Sequence, residues 1–295
     1  MSLLKVIVLA IVQGLAELLP VSSSAHVIVA EKLMGLDPSA PEMTLLLVML
    51  HTGTMFAVIA YFWKTWRESY FASKAVFGRF AVRLIWATVL TGVVGEGVKK
   101  LLEKTLLHGA AKAEIEQLFS HLELIAPALA AVGILILVAG IAEHRKRTAA
   151  YNANSATQTG ESSITMSQSA WMGIVQGLAL PFRGFSRSGS TISTGMLTGT
   201  SKAAAERFSF ALAVVLTPAV VGLEVIRLWK SSQTSTIDLH ASLLASLLGM
   251  VFSFLAGLLA LKWLSRWLET GRWYLFGIYC LAASAVVYAL HARGF

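Results

Sequence analysis

The 295-residue chain is 56% apolar and only 14% charged, a composition that excludes a soluble enzyme and defines a polytopic membrane protein. Its formal charge of +8 does not point to nucleic acid, because the basic residues are scattered through short connections and form no face or stripe. Positive loops against anionic lipid account for them, and the single cysteine, Cys280, lies in an apolar run as an inert thiol without a disulfide or zinc partner.

The first apolar run, Leu3 to Leu15, has the length of a signal-peptide core. Its flank is a lone Lys5 and no small-residue cleavage site precedes Glu17, so it is expected to stay in the mature chain. Leu3 to Leu19 and His26 to Met34 are two pieces too short to cross a bilayer separately, broken by Pro20 and the serines after it. A re-entrant hairpin is the physical solution, since irregular backbone is tolerated at depth only inside protein or against a polar cavity. Three stretches follow that meet the roughly 20 residues needed to cross about 30 Å: Met43 to Trp63, Phe80 to Val98 and Leu122 to Ala142. Residues 148–168, rich in Ser, Thr, Asn, Gln and Ala, read as a flexible linker.

Beyond the linker the plan repeats. Ala170 to Leu180 and Ile192 to Leu197 are again two short pieces, followed by spans at Phe208 to Leu228, Leu243 to Trp263 and Trp273 to His291. The hexapeptide Ile-Val-Gln-Gly-Leu-Ala occurs at Ile11–Ala16 and again at Ile174–Ala179, and the likeness extends into the following spans. One hairpin plus three spans is an odd number of crossings, so the second copy enters from the opposite face. The expected fold is an all-α polytopic membrane protein of two inverted-topology repeats, 1–147 and 169–295, with the two hairpin tips meeting near the midplane. A small excess of Lys and Arg on the linker side predicts a cytoplasmic linker and periplasmic termini. Trp63, Trp229, Trp263 and Trp273 sit near span ends, as an interfacial belt does.

Ionisable groups inside apolar segments mark functional sites by default, and Glu17 and His26 are such groups. Gln13 precedes Glu17 by four residues, so one helical face presents an amide and a carboxylate together and can hold a hard cation through oxygen. Ser22, Ser23 and Ser24 follow Pro20, either as an anion-binding helix N-terminus or as plain caps of a helix beginning near His26. In the second copy Arg187 is bracketed by Ser186 and Ser188, with Gly184, Gly189 and Thr191 close by. A bidentate guanidinium, permissive glycines and hydroxyl donors are the ingredients of a phosphate cradle. Arg183 is either a second cation on the phosphate or a snorkelling residue. His51-Thr52-Gly53-Thr54 reads as a helix-packing patch, and Glu224 with Arg227 as a surface pair.

These motifs resemble those of the undecaprenyl-pyrophosphate phosphatase, or bacitracin-resistance, family across essentially the whole chain. Gln13 and Glu17 fit its Glu/Gln-x-x-x-Glu motif, and Pro20-Val21-Ser22-Ser23 with His26 continues it. Gly184-Phe185-Ser186-Arg187-Ser188-Gly189-Ser190-Thr191 fits its second motif, with the usual proline displaced to Pro181 and Ala25 in place of a glycine before His26. The resemblance implies a bacterial inner-membrane enzyme hydrolysing a C55 polyprenyl diphosphate to the monophosphate carrier of peptidoglycan synthesis and inorganic phosphate. A divalent cation, Mg²⁺ or Ca²⁺, is implied at Gln13 and Glu17, with phosphate contacts from Ser22, Ser24, Ser186, Arg187, Ser188 and Thr191. Ser23 is then the nucleophile with Glu17 and His26 as base and acid, or water held by the cation attacks directly. The implied partners are the lipid substrate and the bilayer, and a homodimer is compatible with the pattern.

Two rivals differ in class or motif. A secondary transporter or polyprenyl-phosphate flippase shares the inverted plan, although serines, acid, imidazole and arginine are concentrated beyond what binding alone needs. The acid-phosphatase type of lipid phosphatase requires a histidine where Ser193 stands, and none occurs between His144 and His240.

Overall fold

The computed structural model describes residues 2–37, 41–106, 122–152, 164–232, 239–269 and 272–294. They form ten α-helices and no strand. In chain order these are α1 Leu3–Leu18, α2 Ser23–Leu33, α3 Pro41–Ser69, α4 Lys74–Leu106, α5 Leu122–Asn152, α6 Met166–Ala179, α7 Arg187–Leu197, α8 Lys202–Ser232, α9 Leu239–Glu269 and α10 Tyr274–Ala292.

Six helices, α3 to α5 and α8 to α10, are long and apolar enough to cross a membrane, one for each expected span. The other four are not. At 1.5 Å per residue the 16 residues of α1 reach about 24 Å and the 11 of α2 about 16 Å, short of the roughly 30 Å hydrocarbon core. Each short helix packs on its neighbour in sequence, α1 on α2 and α6 on α7.

Both second helices of the short pairs start earlier than the sequence reading placed them. α2 begins at Ser23 rather than near His26, and α7 at Arg187 rather than Ile192. Hydroxyls in α7 do not break it because they turn back onto its own carbonyls, Ser190 Oγ and Thr191 Oγ1 donating to Arg187 O at 3.1 and 2.8 Å. The linker expected over 148–168 loses both ends to helix. Thr148 Oγ1 bonds His144 O at 3.0 Å within α5, and a reciprocal Thr165–Gln168 capping box starts α6. Residues 153–163 lie outside the described residues, as do the side chains of Glu224 and Arg227.

The chain divides into two compact units. The first comprises Met1–Leu19, Ser23–Lys64 and Ala213–Leu264. Its core joins Val6, Leu9 and Ala10 of α1, Val27 of α2 and Met43, Leu46 and Leu50 of α3. Helix α9 comes close through small residues: a Cβ on Gly14 would stand 2.6 Å from Ala256 Cβ and 2.7 Å from Ser253 O. Ser253 Oγ donates to Leu50 O at 2.9 Å, tying α9 to α3.

The second unit comprises Pro20–Ser22, Thr65–Leu212 and Ser265–Phe295. Here α4 packs on α6 and α5 on α10. A Cβ on Gly177 would meet Thr91 O at 2.8 Å, and Thr91 Oγ1 donates to Gly173 O at 3.0 Å. Each copy of the repeated hexapeptide therefore sets its glycine where a neighbouring backbone passes, Gly14 in one unit and Gly177 in the other. The buried Trp273 indole donates to Ser193 Oγ at 3.0 Å, so this residue braces the interior rather than an interfacial belt.

Candidate active site

The 3.6-residue period of α1 places Gln13 and Glu17 on one face, and the Gln13 amide Nε2 donates to Glu17 Oε2 at 3.0 Å. That bond orients the amide: its nitrogen must face the carboxylate, which leaves Gln13 Oε1 buried and without a hydrogen-bond partner among the described residues. α1 stops at Leu18, because Leu19 is extended ahead of Pro20. The chain reverses through Ser22 in the left-handed region (φ 69°), and α2 starts at the next residue.

The reversal brings Ser23 back onto Glu17. Ser23 Oγ donates to Glu17 Oε2 at 2.5 Å, so one carboxylate oxygen accepts from both the amide and the hydroxyl. The Glu17 side chain is only 9% exposed. A hydroxyl in short contact with a shielded carboxylate, at a helix N-terminus, can hand its proton to that carboxylate. His26 lies three residues further along α2, on the Ser23 side of the helix and half-buried. Ser24 occupies the first turn of α2 beside Ser23.

One contact was read differently from sequence. His51 Nε2 of α3 stands 3.7 Å from Glu17 Oε2, and its Nδ1 is 2.8 Å from Leu47 O. Nδ1–H donates to the Leu47 carbonyl, which fixes the ring, while Nε2 faces the carboxylate beyond direct hydrogen-bond range. The packing patch read in sequence is present too, with Thr52 and Thr54 bonded to carbonyls of their own helix. The signal for His51 was its mid-span position, but nothing in the spacing tied it to Glu17.

The second motif is built within the second unit. Gly184, at φ 102°, fits because a Cβ there would stand 2.7 Å from Ile125 O. Ser186 caps α7, its Oγ accepting from the Gly189 amide at 3.2 Å. Arg187 is the first residue of the helix, so the guanidinium rises from the end where helix dipole and backbone amides favour anions. Ser188 is buried in the same turn. Thr191 faces inward, its Oγ1 2.5 Å from Ser209 Oγ of α8. The Pro20–Ser22 turn belongs to this unit as well: Cys280 Sγ donates to Pro20 O at 3.4 Å, and the same carbonyl borders the space at Gly189.

Sequence reading passed over Gln176, the repeat counterpart of Gln13. It is fully buried with neither amide atom bonded among the described residues, and four residues on, where the first copy has Glu17, the second has Leu180. The acid was not duplicated with the amide.

Among the described residues, six long apolar helices and two short helical pairs define an all-helical, multi-pass membrane protein. Residues 6–286 match the family described as "BacA: Bacitracin resistance protein BacA", and the chain belongs to that family. It is 55% identical over 294 residues to "Undecaprenyl-diphosphatase 2" of Acinetobacter baylyi, covering 98% of each chain. It is also 34% identical over 291 residues to "Undecaprenyl-diphosphatase" of Desulfosudis oleivorans, covering 95% of each, and 30% identical over 303 residues to that of Methanosphaera stadtmanae, again covering 95% of each.

Proposed function

We propose that the chain is a membrane phosphatase that hydrolyses undecaprenyl diphosphate to undecaprenyl phosphate and inorganic phosphate, returning the lipid carrier to use. The substrate comes from the names of the relatives, and the observation that carries the chemistry is the 2.5 Å bond from Ser23 Oγ to Glu17 Oε2. Ser23 Oγ attacks the terminal phosphorus while its proton passes to Glu17, so the new O–P bond forms as the bridging P–O bond breaks. His26 gives a proton to the departing undecaprenyl phosphate. Water then cleaves the phosphoserine, releasing inorganic phosphate and restoring the hydroxyl. By the motif resemblance, Ser22, Ser24, Ser186, Arg187, Ser188 and Thr191 are the proposed phosphate contacts, with Arg187 offsetting charge on the transferred group. Thr191 steadies that turn through Ser209.

A divalent cation fits the first motif. The unbonded Gln13 Oε1 and the Glu17 carboxylate are hard oxygen donors, and among the described residues no group of three His, Cys, Asp or Glu side chains gathers as a closed cage. Mg²⁺ or Ca²⁺ there would share its remaining ligands with water and substrate phosphate, neutralising charge on the diphosphate. The inverted-repeat topology is part of the same reading, supported by the paired short helices, the repeated hexapeptide and the positive-φ serine that precedes each second helix.

The test is phosphate release from C55 diphosphate by purified protein, with and without Mg²⁺, beside Glu17→Ala and Arg187→Ala. Cation-dependent release lost in both variants is expected; no release from well-folded protein would favour a transporter.

A further inference from the structure

The second unit contains a cleft of about 180 Å³ at the turn between α3 and α4, lined by Arg79, Arg83, Arg207, Tyr70, Phe80 and Phe208 among others, with no Asp or Glu in its lining among the described residues. It is smaller than the roughly 300 Å³ at which pockets for drug-sized molecules begin, and suits a head group rather than a whole ligand. Phe80 stacks on Tyr70 with centroids 3.8 Å apart and meets Phe208 edge-on at 6.2 Å, giving the cleft a firm aromatic wall. Arg79 and Arg83 form no ion pair among the described residues. Arg207 lies within electrostatic reach of Glu206, a carboxylate that Lys202 also faces. The cleft thus offers three guanidinium groups, two of them unmatched.

Its level in the fold names the occupant. The candidate spans of α3, α4 and α8 end or begin at Ser69, Lys74 and Lys202, all beside this cleft. α4 has 33 residues, about 50 Å of helix against a hydrocarbon core of about 30 Å, so its first turns reach into the head-group zone. From there Arg79, Val82, Arg83 and Trp86 follow one stripe at i, i+3, i+4 and i+7. Val82 and Trp86 are 57% and 43% exposed, an apolar track that continues from the guanidinium pair along the span. A phosphate placed beside an exposed apolar helix face is the arrangement of a bound lipid, and basic pockets between membrane helices take anionic head groups.

We propose that this cleft binds the phosphate of an anionic phospholipid, separately from the phosphatase motifs, with the acyl chains lying along α4 over Val82 and Trp86. The guanidinium groups supply bidentate bonds to the phosphodiester.

The test is native mass spectrometry of the full-length protein given equal phosphatidylglycerol and phosphatidylcholine of matched chains. The wild type is expected to retain phosphatidylglycerol preferentially, and the Arg79→Gln, Arg83→Gln double variant to lose that preference by about tenfold. Its thermal midpoint in phosphatidylcholine should match wild type, which separates lost binding from lost folding. Single variants supply the same comparison if the double variant melts early. Millimolar inorganic phosphate should leave the retained lipid in place. Equal preference in folded variant and wild type, or phosphate binding without any lipid preference, would overturn the proposal.

Discussion

Ser22 and Ser186 both take a positive φ at the same place in their hairpins, 69° and 39°, and each is followed at once by the helix that carries its motif. Among the described residues they are the only non-glycine positions with positive φ. Such a conformation costs an L-residue roughly 1–2 kcal/mol and persists only where surroundings impose it, most often at functional turns. Here it swings the chain so that the next residue, Ser23 or Arg187, heads the helix. Ser22→Gly is therefore expected to stabilise the protein by about 1 kcal/mol while lowering turnover through the lost hydroxyl, and Ser22→Val to destabilise it by at least as much. Thermal midpoints in detergent, read beside phosphate release, check both.

The duplicated glycines make a second prediction. Gly14→Ala would drive a Cβ to 2.6 Å from Ala256 Cβ and 2.7 Å from Ser253 O, and Gly177→Ala one to 2.8 Å from Thr91 O. Each should cost about 1–3 kcal/mol of stability. Gly92→Ala is the control: nothing lies within 4 Å of its added Cβ, so the better helix former should leave the melting point unchanged or slightly raised.

His51 is expected to act through Glu17. With Nδ1 tied to Leu47 O and Nε2 3.7 Å from the carboxylate, His51→Phe should lower kcat about tenfold with KM and melting point nearly unchanged. His51→Gln, which restores a polar group, should recover part of the loss. A parallel rise in KM and fall in stability would make it a packing residue only.

At the second motif, Arg187→Lys keeps the charge but loses the planar fork that takes phosphate two oxygens at a time. A fall in kcat/KM of about 10-fold to 100-fold is expected, with stability held because the Ser186 cap on Gly189 remains. Steady-state kinetics on C55 diphosphate decides it.

The six spans were legible because a bilayer demands long apolar runs, and the short helical pairs because Pro20 and the serine clusters interrupt such runs. Gln13 and Glu17 were legible as neighbours because four residues make one helical turn. Ser23 reaching Glu17 was not, since it depends on a left-handed serine that carries no glycine signature. The helix start at Arg187 was missed because hydroxyls that look like a loop bond back to their own helix, as Ser190 and Thr191 do to Arg187 O, and the start at Ser23 because its hydroxyl is taken up by Glu17. His51 was missed as a neighbour of Glu17 because its approach depends on how α3 packs against α1.

The central claim is that Glu17 and Ser23 work as one unit, and single-turnover phosphate release from Ser23→Ala, Glu17→Gln and the double variant tests it most directly. Each single variant should lose about a thousandfold or more, with the double variant no slower than either, as expected for groups serving one step. Ser23→Ala retaining most of the turnover while Glu17→Gln loses it would contradict the account and point to direct attack by water.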